Sequence, residues 1–468
     1  MPGTTAKHMK KGQIYQGVCR EIRFPNRAVI ETSEGETCVV DSALPGETVE
    51  FLVDKARNGR YEGRLLSVVK RSPEETARDV CPHFGICGGC LYQTLPYVNQ
   101  LRLKEYQVRQ LLDKLDSEYK WEGIKASPQQ FAYRNKMEYS FGNEEKDGPL
   151  TVGLHKRSAF YDIVPVRDCR IVDEDFRSIL SVTQAFFRAL DIPYYHKLKH
   201  TGVLRNLVVR KGMNTGEIMV CLVTTRGLLP ELADAYANAL QAISTKGRIV
   251  SVLHLLNDLP ADAVQAEQIR VLYGQNFFYE KLFGLSFRIT PFAFFQTNTF
   301  AAKVLFETVR GYLGTTKDQD VYDLYCGTGT ITQVLAPAAR TVIGVEIVPE
   351  AVEDAIENAK MNGLTNVRFI CGDVLDVIDR IEEKPDLIVL DPPREGIHPK
   401  ALQKILNFGV KRIVYISCKL TSLVRDIEVF QQAGYCLERA SAIDMFVGTV
   451  NIETVAVLTK ARDKRVRS

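Results

Sequence analysis

Over the first seventy residues, apolar and polar positions alternate in short runs broken by turn signals. "KKGQIYQGVCREI" and the stretch from Asn26 to Ser72 read as about five short strands, with Gly35, Gly46 and Gly59 falling where turns are needed. That pattern predicts a small β-barrel of the oligonucleotide-binding type over residues 1–70. Between residues 71 and 290 the periodicity is mixed. "LPYVNQLRLKEYQVRQLLDKL" carries a helical repeat, whereas "FAYRNKMEYSFG" and "GVLRNLVVRKG" read as strands with Arg and Lys interleaved, which predicts a central α+β domain. From 291 to 468, the strand-like runs "QDVYDLYC", "RTVIGVEI", "VRFICGD", "PDLIVLDPP", "RIVYISC" and "NIETVAVLTK" mostly alternate with helical segments. This predicts a doubly wound, Rossmann-like α/β domain with a mainly parallel sheet, whose ligands gather at the carboxyl ends of the strands. Cys326, Glu346, Asp391 and Cys418 all fall at such ends.

Composition changes this picture little. The 468 residues are 45% hydrophobic and 25% charged, as in an ordinary globular protein with ample core. No apolar run approaches the ~18 residues of a membrane span, and "MPGTTAKHMKKG" has no apolar core of a secretory signal, so a cytoplasmic protein without membrane contact is expected. A net charge of +3 does not in itself predict a nucleic-acid partner. Two basic clusters are more suggestive, although solvated surface is their ordinary explanation. One comprises Lys197, Lys199, His200, Arg205, Arg210 and Lys211. The other is the tail with Lys460, Arg462, Lys464, Arg465 and Arg467.

Within the α/β region, "DLYCGTGTIT" has the order strand, glycine turn, helix start. Gly327 and Gly329 let the backbone turn tightly beside a ligand, but Thr332 stands where a dinucleotide fingerprint has its third glycine. Glu346 ends the next strand, where a carboxylate can accept from ribose hydroxyls. Asp373 follows the third strand, placed to meet an adenine edge, and "DPP" at Asp391 ends the fourth. With no third glycine and no phosphate-binding lysine, the pocket suits S-adenosylmethionine, which carries ribose and adenine but no phosphate. A nicotinamide-type or non-binding α/β domain is the alternative.

Eleven cysteines are many for a chain expected in a reducing compartment, where clustered thiols more often bind metal or do chemistry than form disulfides. Cys81, Cys87 and Cys90 are compact and Cys169 stands apart. Four thiolates can hold zinc or an iron–sulfur cluster, and a single CxxC with a longer gap is closer to iron–sulfur spacing. Cys19, Cys38, Cys221, Cys371 and Cys436 have no partner at ligand spacing and read as small buried hydrophobes.

Taken in order along the chain, the β-barrel pattern, these four cysteines, "DLYCGTGT", "DPPR", "YISC" and a final "DMF…E" resemble the RNA uracil-C5 methyltransferase family over nearly the whole length. The resemblance implies an N-terminal TRAM barrel, a [4Fe–4S] cluster on Cys81, Cys87, Cys90 and Cys169, and a class I methyltransferase domain. It further implies Cys418 as nucleophile and Glu453 as general base. Gln296, Tyr325, Gly327, Thr330, Glu346, Asp373 and Asp391 would form the S-adenosylmethionine site. The expected partner is RNA, with 23S ribosomal RNA preferred over transfer RNA, and the expected state is a monomer. The chain departs from the family pattern at Lys419-Leu420 after the nucleophile, at Val447, at Asn451 and at Thr330.

The chemistry explains why such residues are needed. A thiolate that adds to C6 of uracil makes C5 nucleophilic, and a carboxylate must then remove the C5 proton. The helical pattern after Cys418 is expected to lower its thiol pKa, with Lys419 assisting, and burial is expected to raise that of Glu453. Arg134, Lys136, Arg205 and Arg210 are candidate phosphate contacts for RNA. Two other readings compete: a methyltransferase acting on nitrogen, for which an aromatic residue would replace Arg394 after "DPP", and a non-catalytic RNA-binding or ribosome-assembly factor.

Overall fold

The computed structural model of the chain describes residues 8–157, 159–261, 263–314, 316–381 and 384–460. The tail positions Arg462, Lys464, Arg465 and Arg467 lie outside them. The chain divides into two compact units. One holds residues up to 80 with 90–117 and 448–452, and the other holds 81–89, 118–447 and the residues from 453 on.

In the first unit, β1 (Ile14–Arg23), β2 (Arg27–Thr32), β3 (Thr37–Asp41), β4 (Thr48–Arg57) and β5 (Arg60–Lys70) close into a barrel of order β1-β2-β3-β5-β4, with β4 returning antiparallel to β1. The predicted alternation is realised directly: Ile30, Val40, Val49, Phe51 and Val53 fill the interior. Cys19 and Cys38 lie there too as small hydrophobes, and burial pushes both thiols up to about 12. The expected helix follows as α1 (Tyr97–Leu112). Its buried polar side chains are bonded rather than orphaned: Gln107 Nε2 donates to the Tyr92 hydroxyl at 3.2 Å, and that hydroxyl donates to Asn26 Oδ1 at 2.7 Å.

The second unit continues with β6 (Lys120–Lys125), β7 (Lys136–Gly142), β8 (Thr151–Lys156), β9 (Ala159–Val164), α2 (Glu174–Ala189), β10 (Leu204–Lys211), β11 (Glu217–Thr224), α3 (Pro230–Gln241), β12 (Arg248–Leu256) and β13 (Gln268–Gly274). Of these, β7 to β13 form a seven-stranded sheet of order β13-β12-β11-β10-β7-β8-β9. After the hairpin of β14 (Phe278–Leu282) and β15 (Leu285–Ile289) come α4 (Thr299–Leu313), β16 (Thr316–Leu324), α5 (Thr330–Leu335), β17 (Ala339–Glu346), α6 (Pro349–Met361), β18 (Val367–Cys371) and α7 (Val374–Val377). The last elements are β19 (Leu387–Leu390), α8 (Pro399–Asn407), β20 (Arg412–Ser417), α9 (Leu420–Gln432), β21 (Tyr435–Ile443) and β22 (Glu453–Lys460).

All six strands predicted after residue 291 form, in an eight-stranded sheet of order β18-β17-β16-β19-β20-β22-β21-β6. The run from β18 to β20 is parallel, and β22 enters antiparallel to β20. β19 and β20 are buried on both faces, which explains why they read as continuous apolar runs. β21 was not legible because Glu438 and Arg439 interrupt its alternation, and a register shift falls between Leu437 and Arg439. The edge strand β6 comes from far upstream in the sequence and pairs parallel with β21.

The basic residues of the central sheet need correction. Arg210 is fully buried, with its guanidinium donating to the carbonyls of Thr290 and Pro291 at 2.9 Å each. Buried Arg205 donates to the carbonyls of Asn257, Leu259 and Ala261 at 2.9, 2.6 and 2.5 Å. Lys211 pairs with Asp173 and, at 2.6 Å, with Asp175. Arg134 Nε donates to the Lys136 carbonyl, and Lys136 Nζ pairs with Glu138 at 2.8 Å. Arg205, Arg210 and Lys211 are committed within the fold, so Arg205 and Arg210 are not phosphate contacts. Among the described residues, no helix is long and apolar enough to cross a membrane.

Candidate active site

β16 sits between β17 and β19, so the strand order reverses at its carboxyl end, the point at which doubly wound sheets bind ligands. A cavity of about 630 Å³ opens there. It is lined by all nine residues expected in the catalytic and S-adenosylmethionine sites: Gln296, Tyr325, Gly327, Thr330, Glu346, Asp373, Asp391, Cys418 and Glu453.

The glycine turn after β16 is shaped by close approach. Tyr325, Gly327 and Gly329 all have positive φ, at 70°, 54° and 70°. A tyrosine in that region is strained, as is common at ligand sites. A Cβ on Gly327 would meet nothing within 4 Å, leaving that side open to the cavity, whereas one on Gly329 would strike Phe369 at 2.5 Å. Thr332, in the place of a third glycine, donates its hydroxyl to buried Asp323 at 2.6 Å. The Glu346 carboxylate is fixed by three backbone N–H groups, accepting from Gly327, Ile347 and Val348 at 2.9–3.0 Å. Asp373 caps α7 by accepting from Leu375 N at 2.8 Å. Two asparagines hold the segment carrying Gln296. Asn135 Nδ2 donates to the Gln296 carbonyl at 2.9 Å, while Asn298 caps α4 at Ala301 N and donates to the Met445 carbonyl at 2.9 Å. Size, an open glycine face and a pre-fixed carboxylate suit a ribose-bearing sulfonium ligand.

On the reacting side, Cys418 follows β20 and α9 begins two residues later, after Lys419. The thiol is nonetheless not lowered. Burial, then the charges of Glu453 and Asp391, push it from 9.0 to about 11, with Arg394 as an opposing cation. The expectation of a helix-activated thiolate therefore fails, because desolvation and two carboxylates outweigh the helix terminus. The cation that opposes them is Arg394, not Lys419. Buried Glu453, the first residue of β22, is pushed well above the carboxylate range by burial and by Asp391, as expected from its apolar strand. Burial and Asp323 raise Asp391 to about 7. Asp323, itself raised to about 7 by burial, was missed by the sequence reading; it lies inside an apolar strand, and only its spacing to Thr332 hinted at a role. A thiol, a carboxyl group held well above its usual pKa and an arginine thus converge where the cavity ends, an arrangement able to run nucleophilic and proton-transfer chemistry together.

The four-cysteine set is less complete. Cys81, Cys87 and Cys169 lie in the second unit and Cys90 in the first. The charges of Cys81 and Cys87 contribute to raising Cys169 to about 11, after burial. Among the described residues no group of three or more His, Cys, Asp or Glu side chains is arranged to hold a metal ion.

A family model described as tRNA (Uracil-5-)-methyltransferase matches residues 215–461. An uncharacterized RNA methyltransferase of Clostridium tetani is 42% identical over 453 residues, covering 97% of this chain and 99% of that one. A second, from Caldanaerobacter subterraneus subsp. tengcongensis, is 44% identical over 457 residues, covering 97% and 100%. Among solved structures, the chain is similar to the Pyrococcus abyssi tRNA (uracil-54, C5)-methyltransferase in complex with S-adenosyl-L-homocysteine. The identity is 25% and the TM-score 0.74, over 95% of this chain and all of that one.

Proposed function

Because the chain belongs to the family of S-adenosylmethionine-dependent RNA (uracil-5)-methyltransferases, we propose that it methylates C5 of a uridine through a covalent bond between Cys418 Sγ and C6 of that base. The observation that carries this reading is the shared cavity: Cys418 and Glu453 line the same space as Gly327, Glu346 and Asp373. The Cys418 thiol loses its proton to solvent and adds to C6, which moves electron density onto C5, and C5 then takes the methyl group as the donor's methyl–sulfur bond breaks. When bound, S-adenosylmethionine supplies an electrophilic methyl group and a positive charge among these carboxylates. Glu453, ionised at that stage, accepts the C5 proton, and the C6–Sγ bond breaks to release Cys418. Arg394 stabilises the anionic forms of both Cys418 and Glu453, consistent with its opposing effect on each. Glu346 and Asp373 hold the adenosine end, and Gln296, Tyr325, Thr330 and Asp391 complete the cofactor site.

The target is a base in 23S ribosomal RNA, flipped out or unpaired so that C6 can be reached. Transfer RNA is the second reading, favoured by the likeness to the Pyrococcus abyssi transfer-RNA enzyme. The closed barrel of order β1-β2-β3-β5-β4 acts as a TRAM-type RNA platform, and the protein works as a cytoplasmic monomer. Mass-spectrometric mapping of 5-methyluridine in both RNAs, from cells with and without the gene, separates the two targets. Glu453→Gln should accumulate RNA covalently bound to protein on a denaturing gel, and Cys418→Ala should abolish both adduct and product. Product formation by Cys418→Ala would overturn the covalent route.

The same reading gives Cys81, Cys87, Cys90 and Cys169 to a [4Fe–4S] cluster. Its support is their spacing, with Cys81 and Cys87 each contributing to the raised pKa of Cys169, after burial. No catalytic step depends on it. Anaerobically purified protein should absorb in the visible; a colourless, zinc-loaded protein would refute the assignment.

A further inference from the structure

A second cavity, of about 620 Å³, lies in the larger unit and has no part in the chemistry above. Its floor is one face of the seven-stranded sheet. Strand register puts Glu138, Val208 and Cys221 in one row, and Lys136 and Leu255 two residues away on the same face. One wall is the loop after β12, which contributes Gln265; the other begins with Pro291 and Phe292.

The two buried arginines of β10 hold these walls. Arg205 binds three alternate carbonyl groups of the loop, at Asn257, Leu259 and Ala261. Arg210 binds the carbonyls of Thr290 and Pro291, where the other wall starts. Burying a guanidinium is costly unless it is fully bonded. Here both bury their charge to fix irregular backbone around an open space.

The lining has a definite chemistry. The floor is apolar at Val208, Cys221 and Leu255. The Phe292 ring is 48% exposed despite its size. At the rim, Lys136 offers donors, Glu138 and Glu350 acceptors and Gln265 both. Lys136 is paired to Glu138 at 2.8 Å, so the site carries no spare positive charge to attract a phosphate. A flat ring with a polar edge fits; an anion does not. The cavity also neighbours the methyl-transfer site along the chain. Phe292 lines one and Phe294 the other, two residues and at most about 7 Å apart at Cα.

We propose that this cavity is a subsite for the nucleobase next to the methylated uridine, stacked on Phe292, with Lys136, Glu138 and Gln265 reading its edge. It rests on the RNA-methylation reading above. Holding a neighbouring base would help keep the strand unstacked while the target enters the Cys418 site.

The test uses the full chain and a stem-loop transcript carrying the mapped uridine. Loss of stacking should raise KM for RNA about five- to hundredfold in Phe292→Ala and Phe292→Leu. In both, S-adenosylmethionine affinity and kcat at saturating RNA should be retained, and Phe292→Tyr should behave as wild type. In the wild-type protein, 5-iodouridine placed on one side of the target should photocrosslink to the peptide containing Phe292; this arm stands even where Phe292→Ala fails to fold. An unchanged KM in Phe292→Ala, including the outcome that the cavity serves a protein partner, overturns the proposal. So does a crosslink elsewhere from both flanking positions. Were the wild-type enzyme itself to make no 5-methyluridine, the underlying function would fail instead, a distinguishable result.

Discussion

Burial and two carboxylates hold the Cys418 thiol at about 11 rather than 9.0, which makes its reactivity a direct probe of the site's electrostatics. The thiolate fraction at pH 8 should be about a hundredfold below that of an ordinary cysteine, since each pKa unit is a factor of ten. Nucleophilicity acts the other way. With a Brønsted slope of about 0.4–0.5, a thiolate two units more basic attacks about six- to tenfold faster. The net expectation is a Cys418 that reacts roughly ten- to fifteenfold more slowly than a free thiol at pH 8. Its rate should still be rising tenfold per pH unit at pH 9. The assay is modification by a small neutral disulfide, quantified at the Cys418 peptide by mass spectrometry, with exposed Cys371 and Cys436 as internal references. Arg394 opposes the rise, so Arg394→Met should move the profile to higher pH and slow the reaction at any fixed pH below it. Glu453→Gln should move it to lower pH wherever Glu453 is ionised. Sulfonium charge should favour the thiolate, so Cys418 should react faster with S-adenosylmethionine bound than with S-adenosylhomocysteine, which has nearly the same shape and shields the thiol equally. A wild-type rate that levels off by pH 9, or one unaffected by Arg394→Met, would refute the argument.

Two further perturbations test the scaffold. Asn298→Ala removes the α4 cap, worth ~1 kcal/mol, and strands the Met445 carbonyl, at ~1–3 kcal/mol, so about 2–4 kcal/mol of stability should be lost. Urea unfolding followed by the fluorescence of Trp121, the chain's single tryptophan, measures it, and Asn298→Ser should recover about the capping share. Gly329→Ala forces a Cβ to 2.5 Å from Phe369 at a φ of 70°, so the glycine turn must shift. Binding of S-adenosylmethionine, measured by equilibrium dialysis, should weaken about five- to thirtyfold, in line with the ~1–2 kcal/mol cost of left-handed backbone for a residue with a side chain.

What could be read in the sequence was whatever depends on one short segment. The five barrel strands alternate cleanly, and the glycine turn, Glu346, Asp391 and Cys418 each end an apolar run, so both their type and their edge of the sheet were visible. β6 was not, because its place depends on pairing with Arg439–Ile443 more than three hundred residues later. The pKa of Cys418 was misread for a related reason. Its own segment offers only a helix terminus, while the groups that dominate, Glu453 and Asp391, arrive from other strands.

The arginines of β10 show the same limit with the opposite consequence. In "GVLRNLVVRKG", a strand with interspersed cations looks like a nucleic-acid surface, and nothing local distinguishes a cation that meets phosphate from one that meets carbonyl oxygen. The difference lies in where unpaired backbone goes. The loop from Asn257 to Ala261 and the segment at Thr290–Pro291 leave carbonyls outside any sheet ladder, and such groups must be bonded when buried. A guanidinium offers five donors in a rigid fork, so one arginine can satisfy two or three such carbonyls at once, as Arg205 and Arg210 do. Arg205 and Arg210 therefore bear on the proposed RNA chemistry only indirectly. They do not supply charge to the surface; they stiffen the two irregular segments that wall the second cavity, and one of those segments continues into the methyl-transfer site through Gln296. Replacing either arginine by lysine keeps the charge but loses the fork, so it should loosen those walls, whereas a phosphate contact at the surface would tolerate the exchange.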